Sequence, residues 1–156
     1  MTRVLRRSLV AVTVAMVATG VHHVFRLGTA VLPAAIGLSL VPLVLVALYR
    51  WRTSWWLLAA YLLYNVLVVW WFGVVDGFLD HVLKAAGLSN LTFLPGSDQD
   101  VVPTVYRLWS PQATSVFYEG TGVLTAAASA FAAYYAWRLT SQLLRQRRAN
   151  HQQTLG

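Results

Sequence analysis

At 156 residues the chain is long enough for one domain, but at 58% hydrophobic and only 11% charged it is too apolar for an ordinary water-soluble one. It has no cysteine, which excludes a disulfide framework, a thiol redox relay, a thiolate metal site and a cysteine nucleophile, and its only methionines, Met1 and Met16, argue against a thioether copper(I) site. The net charge of +7 sits beside apolar stretches, where a membrane protein keeps its cytoplasmic basic residues, so the expected partner is the lipid bilayer and not nucleic acid.

The first apolar stretch runs from about 8 to 26, broken only by His22 and His23 before Arg26. It is just long enough to cross about 30 Å of hydrocarbon at 1.5 Å per residue. Arg3, Arg6 and Arg7 also resemble the basic start of a signal peptide, but no small-x-small cleavage pattern follows at the right distance. The second span, about 29–49, has Pro33 near its start, where proline is tolerated, and Pro42 deep inside, where it is expected to kink the helix. A link of two or three residues makes the first two spans antiparallel neighbours. The third, about 54–86, continues past its Trp-rich and Leu-rich part through Asp76, Asp80 and His81 to a C-cap at Gly87, so it extends beyond the outer face.

Residues 88–111, with Pro95, Gly96, Pro103 and Pro111, read as an outer loop, with room for a short interfacial helix over 101–109. The fourth span, about 113–138, carries Gly120, Gly122 and the small-residue run Ala126–Ala130, which suits close helix packing. A basic tail follows over 139–156, helical at first and fraying from Asn150. Its Arg145, Arg147 and Arg148 suit an anionic membrane surface.

Orientation follows from charge. Arg3, Arg6, Arg7, Arg50, Arg52, Arg138, Arg145, Arg147 and Arg148 flank one side, against Arg26, Lys84 and Arg107 on the other. All the acidic residues (Asp76, Asp80, Asp98, Asp100, Glu119) lie on the second side. The expected fold is therefore an all-α integral membrane protein, a four-transmembrane-helix bundle in the plasma membrane with both termini cytoplasmic.

Measured from the cytoplasmic ends at 1.5 Å per residue, His22 stands about 22 Å, Glu119 about 28 Å and Asp76 about 30 Å up their helices. His22, His23, Arg26, Asp76, Asp80, His81 and Glu119 are thus expected in one layer near the outer face. Ionisable groups at that depth face the bundle interior, because leaving each in lipid costs a few kcal/mol. Asp76 and Asp80 lie one turn apart, while adjacent His22 and His23 point about 100° apart, so only one of them looks straight inward.

Imidazole with carboxylate and no sulfur suits zinc, iron, manganese or copper(II), and facing helices of four-helix bundles hold such sites, although the Glu-x-x-His pair of the di-metal proteins is missing. The candidate ligands are His22, His23, Asp76, Asp80, His81 and Glu119. Haem is the weaker cofactor, since only His22 or His23 with His81 can supply axial ligands and His81 is expected at or beyond the interface. The two function classes are a metal-handling protein or oxidoreductase, and a non-enzymatic accessory or structural subunit in which Arg26 pairs with Glu119 or Asp76 and Lys84 with Asp80, locking the helices or docking other membrane subunits. The segments Asp76–His81 and Phe117–Thr121 stand out as motif-like.

Overall fold

The computed structural model describes residues 3–88 and 110–153, and every regular element among them is a helix. Helix α1 covers Arg3–Leu27 and α2 Leu32–Arg52, entered through a 3-10 turn at Thr29–Val31. Helix α3 runs from Trp55 to Ala85, and α4 is a 43-residue helix, Pro111–Gln153. The loop expected over 88–111 and its interfacial helix lie almost wholly outside the described residues.

The connections follow local chemistry. Gly28 adopts φ 77°, a left-handed conformation that an L side chain resists, and this lets α1 turn into α2 over a few residues. At the far end of α3, Gly87 N–H donates to the Lys84 carbonyl and Leu88 N–H to the Leu83 carbonyl, both at 2.9 Å. With Gly87 at φ 78°, this is the Schellman closure expected of that glycine. Ser110 starts α4: its hydroxyl accepts from the Ala113 N–H at 3.2 Å, and Pro111 fills the first turn, where its missing N–H costs nothing. The helix passes Asn150 without breaking, so the basic tail is helical further than expected.

Burial recurs every three or four residues. On α1 the inward stripe is Leu5, Ser8, Val12, Ala15, Thr19 and His22, which carries His22 inside simply by continuing the apolar face. On α4 it is Thr114, Tyr118, Thr125, Ser129, Ala132 and Leu139. Val12, Ala15 and Met16 meet Tyr61, Val68, Ala128 and Ala132 in one core. Tyr61 and Tyr64 find their partners across helices: Tyr61 Oη lies 2.8 Å from Ser8 Oγ, and Tyr64 Oη donates to the Leu38 carbonyl at 2.7 Å. Helix α2 is peripheral, with only Pro42 and Val46 buried.

The outside of the bundle is apolar. Val10, Val14, Val17, Ile36, Leu40, Val44, Leu63 and Val66 are all exposed, as are Trp51, Trp55, Trp56, Trp70 and Trp71. A water-soluble bundle would turn those positions polar. Three helices, Arg3–Leu27, Thr29–Arg52 and Trp55–Ala85, are long and apolar enough to cross a membrane. Helix α4 has the length, but Glu119 and its Gly, Ser and Thr content place it below the other three in hydropathy.

Between Val69 and Val82, α3 is a π-helix, a form usually limited to single turns. Hydrogen bonding from i to i+5 reduces the rotation per residue from 100° to roughly 80°, so residues five apart, such as Asp76 and His81, come within roughly 50° of one another instead of about 140°. Asp76, Gly77, Asp80 and His81 are all buried. Small residues let α4 come close there: a Cβ on Gly77 would meet the Ala126 backbone N at 2.8 Å, and one on Gly122 would land in the His81 ring. Gly120, expected to share this role, has open space where its Cβ would be. Gly120→Ala should therefore raise stability in detergent by about 0.5–1 kcal/mol, the usual gain in a helix interior, while Gly122→Ala should lower it. Equal shifts in melting temperature for the two would contradict this packing.

Candidate metal centre

His22 from α1, Asp76, Asp80 and His81 from the π-helical part of α3, and Tyr118, Glu119 and Thr121 from α4 meet at the end of the bundle that carries the Gly28 turn. His22 Nε2 lies 3.7 Å from Asp76 Oδ2, and His81 Nε2 lies 3.7 Å from Asp80 Oδ2. All four side chains are essentially removed from solvent. His81 is buried inside the bundle beside Asp80.

Each histidine is anchored through Nδ1. His81 Nδ1 donates to Glu119 Oε2 at 2.8 Å, and the other carboxylate oxygen accepts from Lys84 Nζ at 2.7 Å. His22 Nδ1 is 3.2 Å from Thr121 Oγ1, which also lies 2.7 Å from the Phe117 carbonyl and 3.0 Å from the Tyr118 carbonyl. His23 Nδ1 is 3.0 Å from the Thr19 carbonyl, which can only accept. The Thr19 carbonyl and the Glu119 carboxylate thus place the N–H of His23 and His81 on Nδ1, and a neutral ring anchored in this way presents Nε2 as a lone pair.

Those lone pairs face acceptors. His22 Nε2, His81 Nε2, Asp76 Oδ2 and both oxygens of Asp80 are buried without a hydrogen-bond partner. Two buried acceptors facing each other repel, and a buried polar group without a partner costs a few kcal/mol, unless a proton or a cation lies between them. Ligands about 2.0–2.2 Å from a common ion, at angles between tetrahedral and trigonal, stand about 3.4–3.8 Å apart, which brackets the 3.7 Å contacts. Ligand-type atoms of His22, His23 and Asp76 all lie within 4.8 Å of one another, and so do those of Asp76, Asp80 and His81.

Arg26 Nη1 sits 3.5 Å from Asp76 Oδ1, one of the two contacts expected of it in an ion-pair network, whereas Lys84 holds Glu119 and not the expected Asp80. Glu119 stands behind His81 and fixes its ring. His23 is only half-buried and packs edge-on against Phe72, as the 100° offset from His22 implies.

Tyr118 and Thr121 were visible in the sequence only as parts of the segment Phe117–Thr121. The Tyr118 ring stacks on His22 with centroids 4.7 Å apart and stands edge-on to His81 at 4.9 Å, with its hydroxyl buried and unpaired. Their signal was the three-to-four-residue buried stripe of α4, which places residue 118 inward beside Glu119.

A b-type haem does not fit between His22 and His81. Their ring centroids are 4.6 Å apart at 77°, whereas two imidazoles on opposite sides of one iron need about 6 Å and a slot for the porphyrin between them. No protein family, no curated protein and no solved structure matches the chain, so the reading of this centre rests on its own residues.

Proposed function

We propose that this protein is a small integral membrane protein whose four helices all cross the bilayer, with both termini cytoplasmic, and that it binds a transition-metal ion near the outer face as a metal-handling protein or oxidoreductase. The observation that carries the reading is the set of imidazoles anchored through Nδ1 whose Nε2 atoms, two of them fully buried, face buried carboxylate oxygens with no hydrogen bond between them. This is how proteins hold metal-binding histidines: an outer acceptor fixes the tautomer and leaves the other nitrogen for the ion. Zinc, iron, manganese and copper(II) suit the donor set. Asp76, Asp80, His22, His23 and His81 hold the ion, with Glu119 as the positioning residue behind His81.

The second reading, a non-enzymatic accessory subunit locked by ion pairs, draws on Arg26–Asp76 at 3.5 Å and Lys84–Glu119 at 2.7 Å. It accounts for those charges but leaves both oxygens of Asp80 without a hydrogen bond, their nearest basic group among the described residues being the His81 imidazole at 3.7 Å. Equilibrium dialysis of chelator-treated, detergent-purified protein against zinc or manganese separates the two. Metal handling predicts stoichiometric uptake, weakened roughly 10–100-fold by Glu119→Gln, the usual effect of losing an outer-shell partner. An accessory subunit takes up no stoichiometric metal.

The sidedness draws on the arginines that flank the ends opposite the cluster. A reporter that works only in the cytoplasm should be active when fused after Gly156. Activity there of a reporter that works only outside the cell would overturn the orientation.

A further inference from the structure

The candidate ligands divide into two groups that have one residue in common. Asp76, Asp80 and His81 form one set of mutually close ligand atoms, His22, His23 and Asp76 the other. A single ion with ligands about 2.0–2.2 Å away draws its whole shell to within roughly 4.4 Å, the separation of two opposite ligands, yet the five residues do not make one group. Tyr118 packs against both imidazoles, stacked on His22 and edge-on to His81, while the two imidazoles meet edge to face with centroids 4.6 Å apart.

Charge decides how many ions these groups take together. Asp76, Asp80 and Glu119 bring three negative charges and Arg26 and Lys84 two positive, a net of one negative within the salt-bridged cluster. One divalent ion reverses that excess by a single unit. A second would leave three uncompensated positive charges in a buried, low-dielectric layer, where unpaired charge is strongly disfavoured.

We infer that the cluster is a pair of stations for one divalent transition-metal ion, Asp80–His81 and His22–His23, with Asp76 the ligand common to both and the residue through which the ion passes from one to the other. The first station lies behind Glu119 and Lys84, which are about 30% exposed, and the second includes the half-buried His23, so the pair of stations reaches the surface of the bundle at both ends. Asp76 is suited to the hand-over because its two oxygens face different neighbours: Oδ2 points to His22, and Oδ1 is held by Arg26, which can release it when an ion arrives. No bond other than metal–ligand bonds is made or broken, and Asp76 stays attached to the ion throughout. This inference rests on the metal reading proposed above and sharpens it towards handling of the ion.

Cobalt(II) loading of the full-length protein in detergent tests it, because the absorption of cobalt reports the ligand set while elemental analysis counts ions. Wild type is expected to bind one cobalt per chain. His81→Ala and His22→Ala should each still bind one, roughly 10–100-fold more weakly, with different spectra, and the wild-type spectrum should be a weighted sum of those two. Two cobalt ions per wild-type chain would overturn single occupancy. Loss of all cobalt from both variants, with helicity retained, would overturn the two stations in favour of one site, and a single unshifted spectrum in all three proteins would do the same. If wild type binds no cobalt, zinc or manganese, the metal reading itself falls, a result distinct from each of these.

Discussion

Asp76→Asn is expected to strip the protein of metal. Asp76 is the only residue common to both ligand groups, and its amide replacement loses the charge and half the acceptor capacity at the point where they meet. The fall in affinity should exceed the roughly 10–100-fold seen for outer-shell partners, because here a direct ligand of either position is removed. The same substitution distinguishes the ion-pair reading. If Asp76 serves only to hold Arg26, then Asn breaks a mostly buried ion pair and destabilises the bundle, by up to about 3–5 kcal/mol, with no metal to lose. Dialysis for bound metal and thermal melting in detergent, run on the same preparation, read the two effects apart.

Gly77→Leu is expected to have the largest effect on folding. At this position the π-helical stretch of α3 lies against the backbone of α4, and even a methyl group would sit 2.8 Å from the Ala126 N and 3.0 Å from its Cα. Backbone cannot rotate away as a side chain can, so the helices must separate. Overpacking typically costs about 1–3 kcal/mol, and a clash with main chain belongs at or above the top of that range. Separation here also pulls His81 away from Glu119 and Asp76 away from His22, so metal binding should fall together with stability. A Gly77→Leu protein that melts with the wild type would mean that the close approach of α3 and α4 is wrong.

The helices were legible because the bilayer imposes one rule on a long chain: apolar residues over about 20 positions, with charges only at the ends or facing inward. That rule also brought His22, Asp76, Asp80, His81 and Glu119 into one layer before any packing was known. Other features escaped it for identifiable reasons. The π-helix from Val69 to Val82 leaves no trace in a hydropathy pattern, yet it is what aligns Asp76 with His81, five residues on. Gly73 and Gly77 mark where it meets α4, but a glycine in an apolar helix does not disclose its neighbour.

The partners of Arg26 and Lys84 depend on the rotation of α1 and α3 about their own axes, which fixes Arg26 on Asp76 and Lys84 on Glu119. Thr121 could not be singled out as the anchor of His22, since a threonine on a helix more often bonds back to its own turn, as Thr125 and Thr140 do here. Thr121 is within reach of both: its hydroxyl lies 2.7 Å from the Phe117 carbonyl and 3.2 Å from His22 Nδ1.

X-ray absorption on the purified protein loaded with zinc is the most direct test of the central claim, that these imidazoles and carboxylates coordinate an ion. The expected spectrum has a first shell of nitrogen and oxygen at about 2.0–2.2 Å, no sulfur, and the outer-shell scattering of imidazole, which Asp76→Asn removes. Zinc surrounded only by water oxygens, with no imidazole signature, or no zinc retained above a buffer control, would contradict it.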